Sequence, residues 1–490
     1  MTAEDLARPH HRVAASTVAV VAANTVVAAL GALALHVMTH RLGASTYGEL
    51  VSVLAFISAT LLFADLGINT YSGREIAKRK NDAADILGQN LGLRLVMSAI
   101  LMPTVLGLAL LFPHSNSVRT AGIAITVLTI PCEAIRAVSM SYYVATIQNY
   151  KTAIITLLTQ VIYISGAITA IDLGYGIVGC FVAYDIAMIA TAAIAFIAVR
   201  RSVPFLPRFS VSLWRGILGQ SLGIGAIQIV NVLYLRMNAL MLTAMTTYHT
   251  VGQYGVAAAI VTYLLVVPNA FMLSMMPLLV ASPIDRLTGI VNRACIFMAI
   301  AGVLAVTGTI CLAHDVISVI AGPDFEAATP ILQILSISVL FTCLTSVFTY
   351  SSFSRDRHRR LLLVSASGLV SNILLDFILI PTYGARGVAA ATVLVEFFIL
   401  VGTYVMFRNR VGDHFSAWWP VGRVLFAGIV TLLVGHITID AVFSPGLEQL
   451  VFGVAFIPAL LGGLLISLRC LPIKGSFSGF VRDALKSRGT

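Results

Sequence analysis

Fourteen long apolar stretches constrain what this chain of 490 residues can fold into. Each is about 20 residues long, which is the length that an α-helix needs to cross the hydrocarbon core of a bilayer. Charged residues make up 11% of the chain. That share is less than half of what soluble proteins carry, so a water-soluble fold does not explain the pattern. The sequence therefore predicts an all-α integral membrane protein with about 14 transmembrane helices. The predicted spans are residues 14–38, 49–73, 88–112, 119–146, 152–171, 177–199, 218–245, 254–282, 291–313, 328–353, 361–381, 385–407, 419–441 and 447–468.

The basic residues are distributed unevenly between the connections that join these spans. Of the 31 Lys and Arg residues, only Arg41, Arg119 and Arg386 fall in the odd-numbered connections. An excess of Lys and Arg on alternate loops is typical of the cytoplasmic side of a membrane protein. Both termini are therefore predicted to be cytoplasmic, and the protein is predicted to lie in a bacterial plasma (inner) membrane.

Charge and cysteine usage restrict the partners that the chain is expected to have. The net charge of +10 lies in the predicted cytoplasmic loops, where insertion topology and contact with anionic membrane lipids account for it. No basic stripe is interleaved with stacking aromatic residues, so nucleic acid is not a predicted partner. The six cysteines form no CxxC pair. Neither a metal site nor a cofactor is therefore predicted.

Two Tyr-Gly pairs recur at a nearly constant offset and indicate an internal repeat. They are Tyr175-Gly176 with Tyr383-Gly384, offset by 208 residues, and Tyr47-Gly48 with Tyr254-Gly255, offset by 207 residues. Six helices return a chain to the side of the membrane from which it started, so the two halves are predicted to be parallel repeats. Parallel repeats are typical of transporters that rock two lobes about a central site.

The longest cytoplasmic connection, at 200–217, is predicted to separate the two halves. No loop exceeds about 25 residues, which is too short for a soluble domain. The predicted organisation is a cytoplasmic tail at 1–13, an N-lobe at 14–199, the inter-lobe connection at 200–217, a C-lobe at 218–407, two further helices at 419–468 and a cytoplasmic tail at 469–490.

Three blocks of sequence carry a resemblance to a known family. The blocks are RLGASTYGELVSVLAF with FADLGINTYSGREIA, then LYLRMNALML with HTVGQYGVAAAIV, and finally SNILLDFILIPTYGARGVAAATVLVEFF. In this order and spacing the chain resembles O-antigen and capsule-type polysaccharide flippases of the multidrug/oligosaccharidyl-lipid/polysaccharide (MOP) exporter superfamily. The resemblance implies a fold of two six-helix lobes like that of the multidrug and toxic compound extrusion (MATE) transporters, with two extra C-terminal helices.

The chain departs from its relatives in two polar positions. The flippases often carry an Asp two residues after the basic residue of helix 7, where this chain has Asn238. Multidrug antiporters of the superfamily often couple to cations through an acid in helix 1. Here the strongly polar residue in the middle of helix 1 is Asn24. That difference speaks against a drug exporter.

Charged residues within predicted spans are the candidate functional residues. A charge in the middle of a bilayer costs about 2.5–3.5 kcal/mol, so its side chain must face protein or a watery cavity. Arg236 is the leading candidate to hold the diphosphate of a lipid-linked sugar, because a guanidinium can bind phosphate oxygens bidentately. Asn238 and Asn24 are further cavity candidates. So are Glu133 and Arg136, whose i,i+3 spacing also allows a structural ion pair.

The remaining intramembrane polar residues have open assignments. Asp65, Asp185, Asp376 and Glu396 are candidates for an ion-coupling group, and the sequence does not choose among them. Arg94 and Arg423 are expected to snorkel to the cytoplasmic surface. Pro131 in helix 4, and Pro268 and Pro277 in helix 8, are expected to kink their helices, either as hinges or as ordinary packing kinks. The gate candidates are Tyr47, Gly48, Tyr254 and Gly255, whose glycines would allow close backbone approach.

The predicted function is transport without covalent chemistry, so no catalytic residue is assigned. The substrate would be a polyprenyl diphosphate-linked oligosaccharide, moved from the cytoplasmic to the outer leaflet for cell-surface polysaccharide synthesis. The expected partners are membrane lipids, a polysaccharide polymerase and glycosyltransferases. A multidrug or lipid II exporter of the same superfamily is the alternative. A polytopic glycosyltransferase that uses a polyprenyl-phosphate sugar is a more distant one, because the loop at 39–48 lacks an acid.

Overall fold

Helices account for almost all of the chain that the structure describes. The structure is a computed structural model, and it describes residues 3–111, 117–282, 284–353, 358–411, 416–442 and 447–468. Over these residues, 92% of the structure is helical and no strand occurs. The C-terminal tail predicted at 469–490 lies outside the described residues. The N-terminal tail predicted at 1–13 forms, from Ala3 onward, the first turns of a helix.

The described residues form fifteen α-helices and two short 3-10 turns. The helices are α1 (Ala3–Asp65), α2 (Ile68–Lys78), α3 (Ala83–Leu111), α4 (Ser117–Thr126), α5 (Thr129–Ala145), α6 (Asn149–Asp172), α7 (Gly176–Arg200), α8 (Val211–Met245), α9 (Tyr248–Leu264), α10 (Val266–Ala281), α11 (Ile284–Ile320), α12 (Ala328–Phe353), α13 (His358–Val411), α14 (Trp418–Val442) and α15 (Leu447–Ser467), and the turns are Lys80–Asp82 and Pro323–Phe325.

The fourteen predicted spans are consistent with these helices once the broken helices are counted. Eleven described segments are long and apolar enough to cross a membrane. Two of them each contain two predicted spans, because α1 has a non-helical residue at Gly43 and α13 has one at Gly384. The remaining span is α8, which bends by 67° between Val211–Gly223 and Gln228–Met245.

Two proline-containing spans break where the sequence predicts kinks. Helix 4 of the prediction is divided between α4 and α5, and Pro131 lies in the first turn of α5. Helix 8 is divided between α9 and α10, and Pro268 lies in the first turn of α10. Proline has no N–H and its ring crowds the carbonyl four residues earlier, so it is tolerated in a first turn and disrupts the helix before it. The expectation is confirmed for Pro131 and Pro268, whereas α10 runs from Val266 to Ala281 without a break at Pro277.

The Tyr-Gly repeat has a counterpart in the backbone. Gly176 begins α7 and Gly384 interrupts α13, and both have φ of 55°. This left-handed value is open to glycine but rarely to other residues. The repeated glycines therefore share a left-handed φ at a break between two helices, at the positions that the sequence offset of 208 residues relates.

The chain forms two compact units of contacting residues. Unit 1 comprises residues 1–256 and 369–388, and unit 2 comprises residues 257–368 and 389–490. The two units are defined by contacts between residues. The predicted lobes were defined by the sequence repeat, as the two parts that would move against each other during transport. The lobe boundaries at 14–199 and 218–407 therefore stay a prediction. Unit 2 has a large apolar core, which includes Met272, Met298, Val339, Phe348 and Leu461. The polar clusters described below lie in unit 1.

The left-handed turn at Gly384 predicts a stability cost for any side chain there. We expect Gly384→Ala to lower the free energy of unfolding by about 1–2 kcal/mol, because an L-residue at positive φ brings its Cβ too close to the backbone. No atom lies closer than 4.0 Å to the position of that added Cβ, so the cost would come from the backbone conformation and not from crowding. Thermal unfolding of the purified protein in detergent measures it.

Gly107 in α3 provides the matched control for this substitution. It has no neighbouring atom within 4 Å of an added Cβ, and its φ is not left-handed. Gly107→Ala should leave stability unchanged or raise it by up to about 1 kcal/mol, since alanine is the better helix former. Equal losses at the two positions would contradict the assignment of the Gly384 turn.

Candidate functional site

A buried arginine joins the break between α1 and α2 to α3. The Arg94 side chain is 1% exposed, and its Nη1 lies 3.1 Å from Asp65 Oδ1. The same nitrogen donates to Asn69 Oδ1 at 2.6 Å. The expectation that Arg94 snorkels is wrong. Arg94 lies eleven residues into α3, roughly 16 Å from its start, and the helix break supplies oxygen partners at that depth.

The break beside Asp65 depends on two residues with left-handed backbone. Leu66 has φ of 42° and Gly67 has φ of 77°, and α2 begins directly after them. Asp65 Oδ1 also accepts a hydrogen bond from the backbone N–H of Asn69 at 3.3 Å. One carboxylate therefore binds the first turn of α2 and the buried guanidinium. Gly225, at the bend of α8, packs against this break, since its added Cβ would lie 2.5 Å from the Leu66 carbonyl oxygen.

Glu133 and Arg136 form the ion pair that their spacing predicts. Arg136 Nη2 lies 2.6 Å from Glu133 Oε2, and Arg136 Nε donates to the same oxygen at 2.7 Å. Both side chains are mostly buried. The pair lies within electrostatic range of Arg94, so the two ion pairs belong to one polar region. The charge of Arg136 is therefore largely neutralised within its own helix.

Arg236 differs from the other arginines of this region. Its side chain on α8 is exposed, and no carboxylate of a described residue lies within ion-pair distance of it. Tyr184 of α7 lies within electrostatic range of Arg236 and also of Glu133 and Arg136. A guanidinium in the middle of a span must face protein or water. Unlike Arg94 and Arg136, Arg236 is therefore able to bind an anionic ligand.

Tyr184 is one of the site residues that the sequence does not predict. It precedes Asp185, whose Oδ1 accepts a hydrogen bond from Thr129 Oγ1 at 2.6 Å. Tyr184 also packs edge-to-face on Tyr163, with ring centroids 5.4 Å apart. The signal in the sequence is the polar Tyr-Asp pair within the otherwise apolar helix α7. Through Tyr184 the structure brings together the predicted residues Glu133, Arg136, Asp185 and Arg236.

A second polar site lies on α13 in unit 1. Asn372 and Asp376 are both fully buried, and their spacing of four residues places them on the same face of the helix. Neither side chain has a hydrogen-bond partner among the described residues. A buried carboxylate without a partner is strongly disfavoured in its charged form. Asn372 is also missing from the sequence-based candidates, although the N-x-x-x-D spacing within SNILLDF could have indicated it.

Three predicted residues do not join these clusters. The Asn24 side chain is exposed on α1, and no described side-chain contact connects it to the other candidates. Asn238 is buried, and its Nδ2 donates to Tyr254 Oη at 2.8 Å. It was grouped with Arg236, but residues two apart in a helix do not face the same side. Glu396 is buried in unit 2.

The gate glycines bring two backbones into direct contact. A Cβ added to Gly48 would overlap the carbonyl oxygen of Tyr248, and one added to Gly252 would overlap the carbonyl oxygen of Ala44. A Cβ on Gly255 would lie 2.9 Å from Val51 Cγ2. The predicted gate tyrosines, Tyr47 and Tyr254, are both buried. Gly252 was not among the gate candidates, yet its contact is nearly as close as that of Gly48.

Comparisons with known proteins agree with this architecture. The family model described as polysaccharide biosynthesis protein matches residues 13–282, and the one described as lipid II flippase MurJ matches residues 270–453. No curated protein matches the chain in sequence.

Several solved structures share the fold. A lipid II flippase MurJ in an inward closed conformation has 14% sequence identity and a TM-score of 0.75, covering 91% of this chain and 98% of its own. An inward-facing multidrug resistance MATE family transporter has 14% identity and a TM-score of 0.66, covering 81% and 98%. A MOP superfamily transporter from Pyrococcus furiosus has 15% identity and a TM-score of 0.57, covering 82% and 95%.

The contact at Gly48 predicts that any side chain there forces the two backbones apart. We expect Gly48→Ala to destabilise the protein by about 1–3 kcal/mol, as overpacking of a filled interior does. The measurement is thermal unfolding, together with labelling of a cysteine placed at Ala44, which is buried in the contact. Labelling at this position should become faster in the Gly48→Ala variant.

The control is Gly289→Ala in α11. This glycine has no atom within 4 Å of an added Cβ, so the substitution should alter neither stability nor labelling by much. If Gly48→Ala left the Ala44 position as unreactive as before, the two backbones would not be in contact in solution.

Proposed function

Since the chain belongs to the polysaccharide biosynthesis protein family and to the flippase type of the MOP exporter superfamily, we propose that it flips a polyprenyl diphosphate-linked oligosaccharide. Members of these families are membrane flippases and transporters of lipid-linked substrates, not catalytic enzymes. The proposed direction is from the cytoplasmic to the outer leaflet of the plasma membrane, as the predicted topology requires. A polymerase and glycosyltransferases that supply and consume the substrate are the proposed partners.

The observation that carries this proposal is the state of Arg236. Arg94 and Arg136 each have a carboxylate at 3.1 Å or less, so both charges are compensated within the protein. Arg236 is exposed and has no such partner among the described residues. A diphosphate offers oxygens in the geometry that a guanidinium fork binds, and it would supply the missing negative charge. Tyr184 lies within electrostatic range of Arg236.

Asp376 is the proposed ion-coupling group. Of the four acids, Asp65 is held by Arg94, Asp185 accepts a hydrogen bond from Thr129, and Glu396 has an interaction of its own. Asp376 is buried with Asn372 beside it and no other polar partner among the described residues. A cation, either Na⁺ or a proton, would neutralise this carboxylate. Binding and release of that cation is the step that could drive the transport cycle.

Lipid II is the second candidate substrate. The MurJ family model matches residues 270–453, and the MurJ structure covers 91% of this chain. Lipid II and an oligosaccharide precursor are both polyprenyl diphosphate sugars, so Arg236 would serve either one. The chemistry that separates them lies in the sugar and the peptide, and transport of each compound decides between them.

The first test concerns Arg236. Arg236→Ala should reduce flipping about 10- to 100-fold, because a hydrogen-bonded charged contact contributes about 1.5–3 kcal/mol. Arg236→Lys should recover part of the activity, since a point charge cannot match a bidentate fork. The assay follows a fluorescent polyprenyl diphosphate oligosaccharide in proteoliposomes, where an impermeant quencher reports the outer leaflet. Lipid II and a cationic dye are run in parallel.

Arg423→Ala serves as the control for loss of an arginine. Arg423 lies near the start of α14, where its guanidinium stacks on Trp419 with 5.1 Å to the ring centroid. This variant should flip at the normal rate. Full activity of Arg236→Ala would reduce Arg236 to a structural residue, and transport of the dye alone would identify a drug exporter.

The second test separates Asp376 from Asp65. Asp376→Asn should abolish the response of flipping to a Na⁺ or pH gradient and leave stability equal or higher, because it removes an uncompensated buried charge. Asp65→Asn should keep the response of flipping to the gradient and should lower stability. It leaves Arg94 buried without its charged partner, so we expect the free energy of unfolding to fall by about 3–5 kcal/mol. A normal gradient response of Asp376→Asn would exclude Asp376 as the coupling group.

A further inference from the structure

The connection between α7 and α8 is an extended segment that packs on α3. We call residues 203–210 the strap. Its ends are tied by hydrogen bonds, from Val203 N–H to the Val199 carbonyl oxygen at 2.8 Å and from Arg208 N–H to the Gly88 carbonyl oxygen at 2.9 Å. Arg208 also forms an ion pair with Asp85 at 2.5 Å. The strap is therefore a fixed part of unit 1 and not a free linker.

Two glycines of α3 make room for the strap. A Cβ added to Gly88 would lie 2.6 Å from the Leu206 carbonyl oxygen. A Cβ added to Gly92 would overlap the carbonyl oxygen of Arg208. The spacing of four residues places both glycines on one face of the helix. Phe205 anchors the strap from the other side. It is buried in the apolar core and packs edge-to-face on Phe196 at 5.3 Å between ring centroids.

The position of this contact along α3 gives the depth of the strap in the membrane. Gly88 and Gly92 lie five and nine residues after the start of α3. At 1.5 Å per residue this places the strap roughly 8–14 Å from the end of the helix. The headgroup region of each leaflet is about 5–8 Å thick. With the start of α3 taken as the outer edge of the headgroup region, the strap would lie where headgroups meet hydrocarbon, on the side predicted to be cytoplasmic.

The outward face of the connection is apolar and basic at the same time. Leu206, Phe209 and Val211 are 57%, 66% and 77% exposed. Four exposed arginines flank them, namely Arg200, Arg201, Arg208 and Arg215. Large apolar side chains exposed to this extent are unfavourable in water but favourable at a lipid interface.

The backbone of the strap also suits this depth. An extended segment leaves N–H groups without helical partners, which is costly near hydrocarbon. Pro204 and Pro207 carry no N–H, and the N–H groups of Val203 and Arg208 are bonded within the protein. Half of the eight strap residues therefore present no free donor to the lipid.

We propose that residues 200–215 form a binding surface for anionic phospholipid headgroups of the leaflet on that side. Leu206, Phe209 and Val211 would enter the boundary of the acyl chains, and the flanking arginines would bind headgroup phosphates. Arg208 is already paired with Asp85. Each basic residue near an anionic membrane contributes about 1 kcal/mol, so the other three arginines, Arg200, Arg201 and Arg215, favour an anionic lipid over a zwitterionic one. This surface is separate from the site around Arg236 and does not depend on the transported substrate.

A nitroxide at Leu206 tests both parts of the proposal. The full chain, with its native cysteines replaced and Leu206→Cys labelled, is placed in phosphatidylcholine nanodiscs, and collisions with oxygen and with a water-soluble nickel chelate report depth. The label should behave like one at Ile186, which is exposed on α7. It should differ from one at Asn81, in the turn before α3. Titrating phosphatidylglycerol into the nanodiscs should then reduce the mobility of the label.

The charge variant completes the experiment. With Arg201→Gln and Arg215→Gln together, the apparent affinity for phosphatidylglycerol should fall roughly 25-fold, about fivefold for each charge. Accessibility of the Leu206 label to the nickel chelate as high as at Asn81 would overturn the proposal and leave the surface to a water-soluble partner. A lipid-buried label with equal response to both phospholipids would equally overturn the claim of anionic recognition.

Discussion

The structure depends on the absence of water as a hydrogen-bond partner inside a bilayer. Each backbone group must be bonded within its own segment, so each interruption of a helix has to be compensated by protein. Unit 1 shows how this is done. At Leu66-Gly67 the free end of α2 is bound by the carboxylate of Asp65, and the neighbouring backbone at Gly225 covers the break. The helix break loses backbone hydrogen bonds, but it places Asp65 and Asn69 beside Arg94 as its oxygen partners.

The charged residues inside the predicted spans fall into two groups, those with a partner of opposite charge and those without one. Arg94 and Arg136 are compensated within the protein, so removing either carboxylate would leave a buried charge at considerable cost. Arg236 and Asp376 lack such partners among the described residues. A protein retains such a charge in an apolar medium when a ligand of opposite charge compensates it. The substrate anion for Arg236 and a cation for Asp376 follow from this one argument.

Much of the fold could be predicted from the sequence, because span length, loop charge and proline position are local properties. The 11 or 12 candidate spans among the described residues are consistent with about 14 helices. The Glu133–Arg136 pair and the breaks near Pro131 and Pro268 are present. The errors concern residues whose surroundings come from distant segments. Arg94 was expected at the surface, since nothing in its own helix indicates that Asp65 and Asn69 reach it. Tyr184 and Asn372 were missed because a single aromatic or amide in an apolar run is usual.

The repeated Tyr-Gly pairs show why a sequence repeat does not fix the purpose of each residue. Gly176 and Gly384 share a φ of 55°, and an added Cβ would meet no atom closer than 4.0 Å at either one. Here glycine is needed for its backbone conformation. Gly48 lies within a helix and faces the Tyr248 carbonyl, and Gly255 lies within a helix against Val51. Here glycine is needed for its missing side chain. An offset near 208 residues thus preserves the positions at which helices turn or touch, while the physical reason differs between the two landmarks. The effect of replacing glycine at one landmark therefore cannot be inferred from the effect of replacing it at the other.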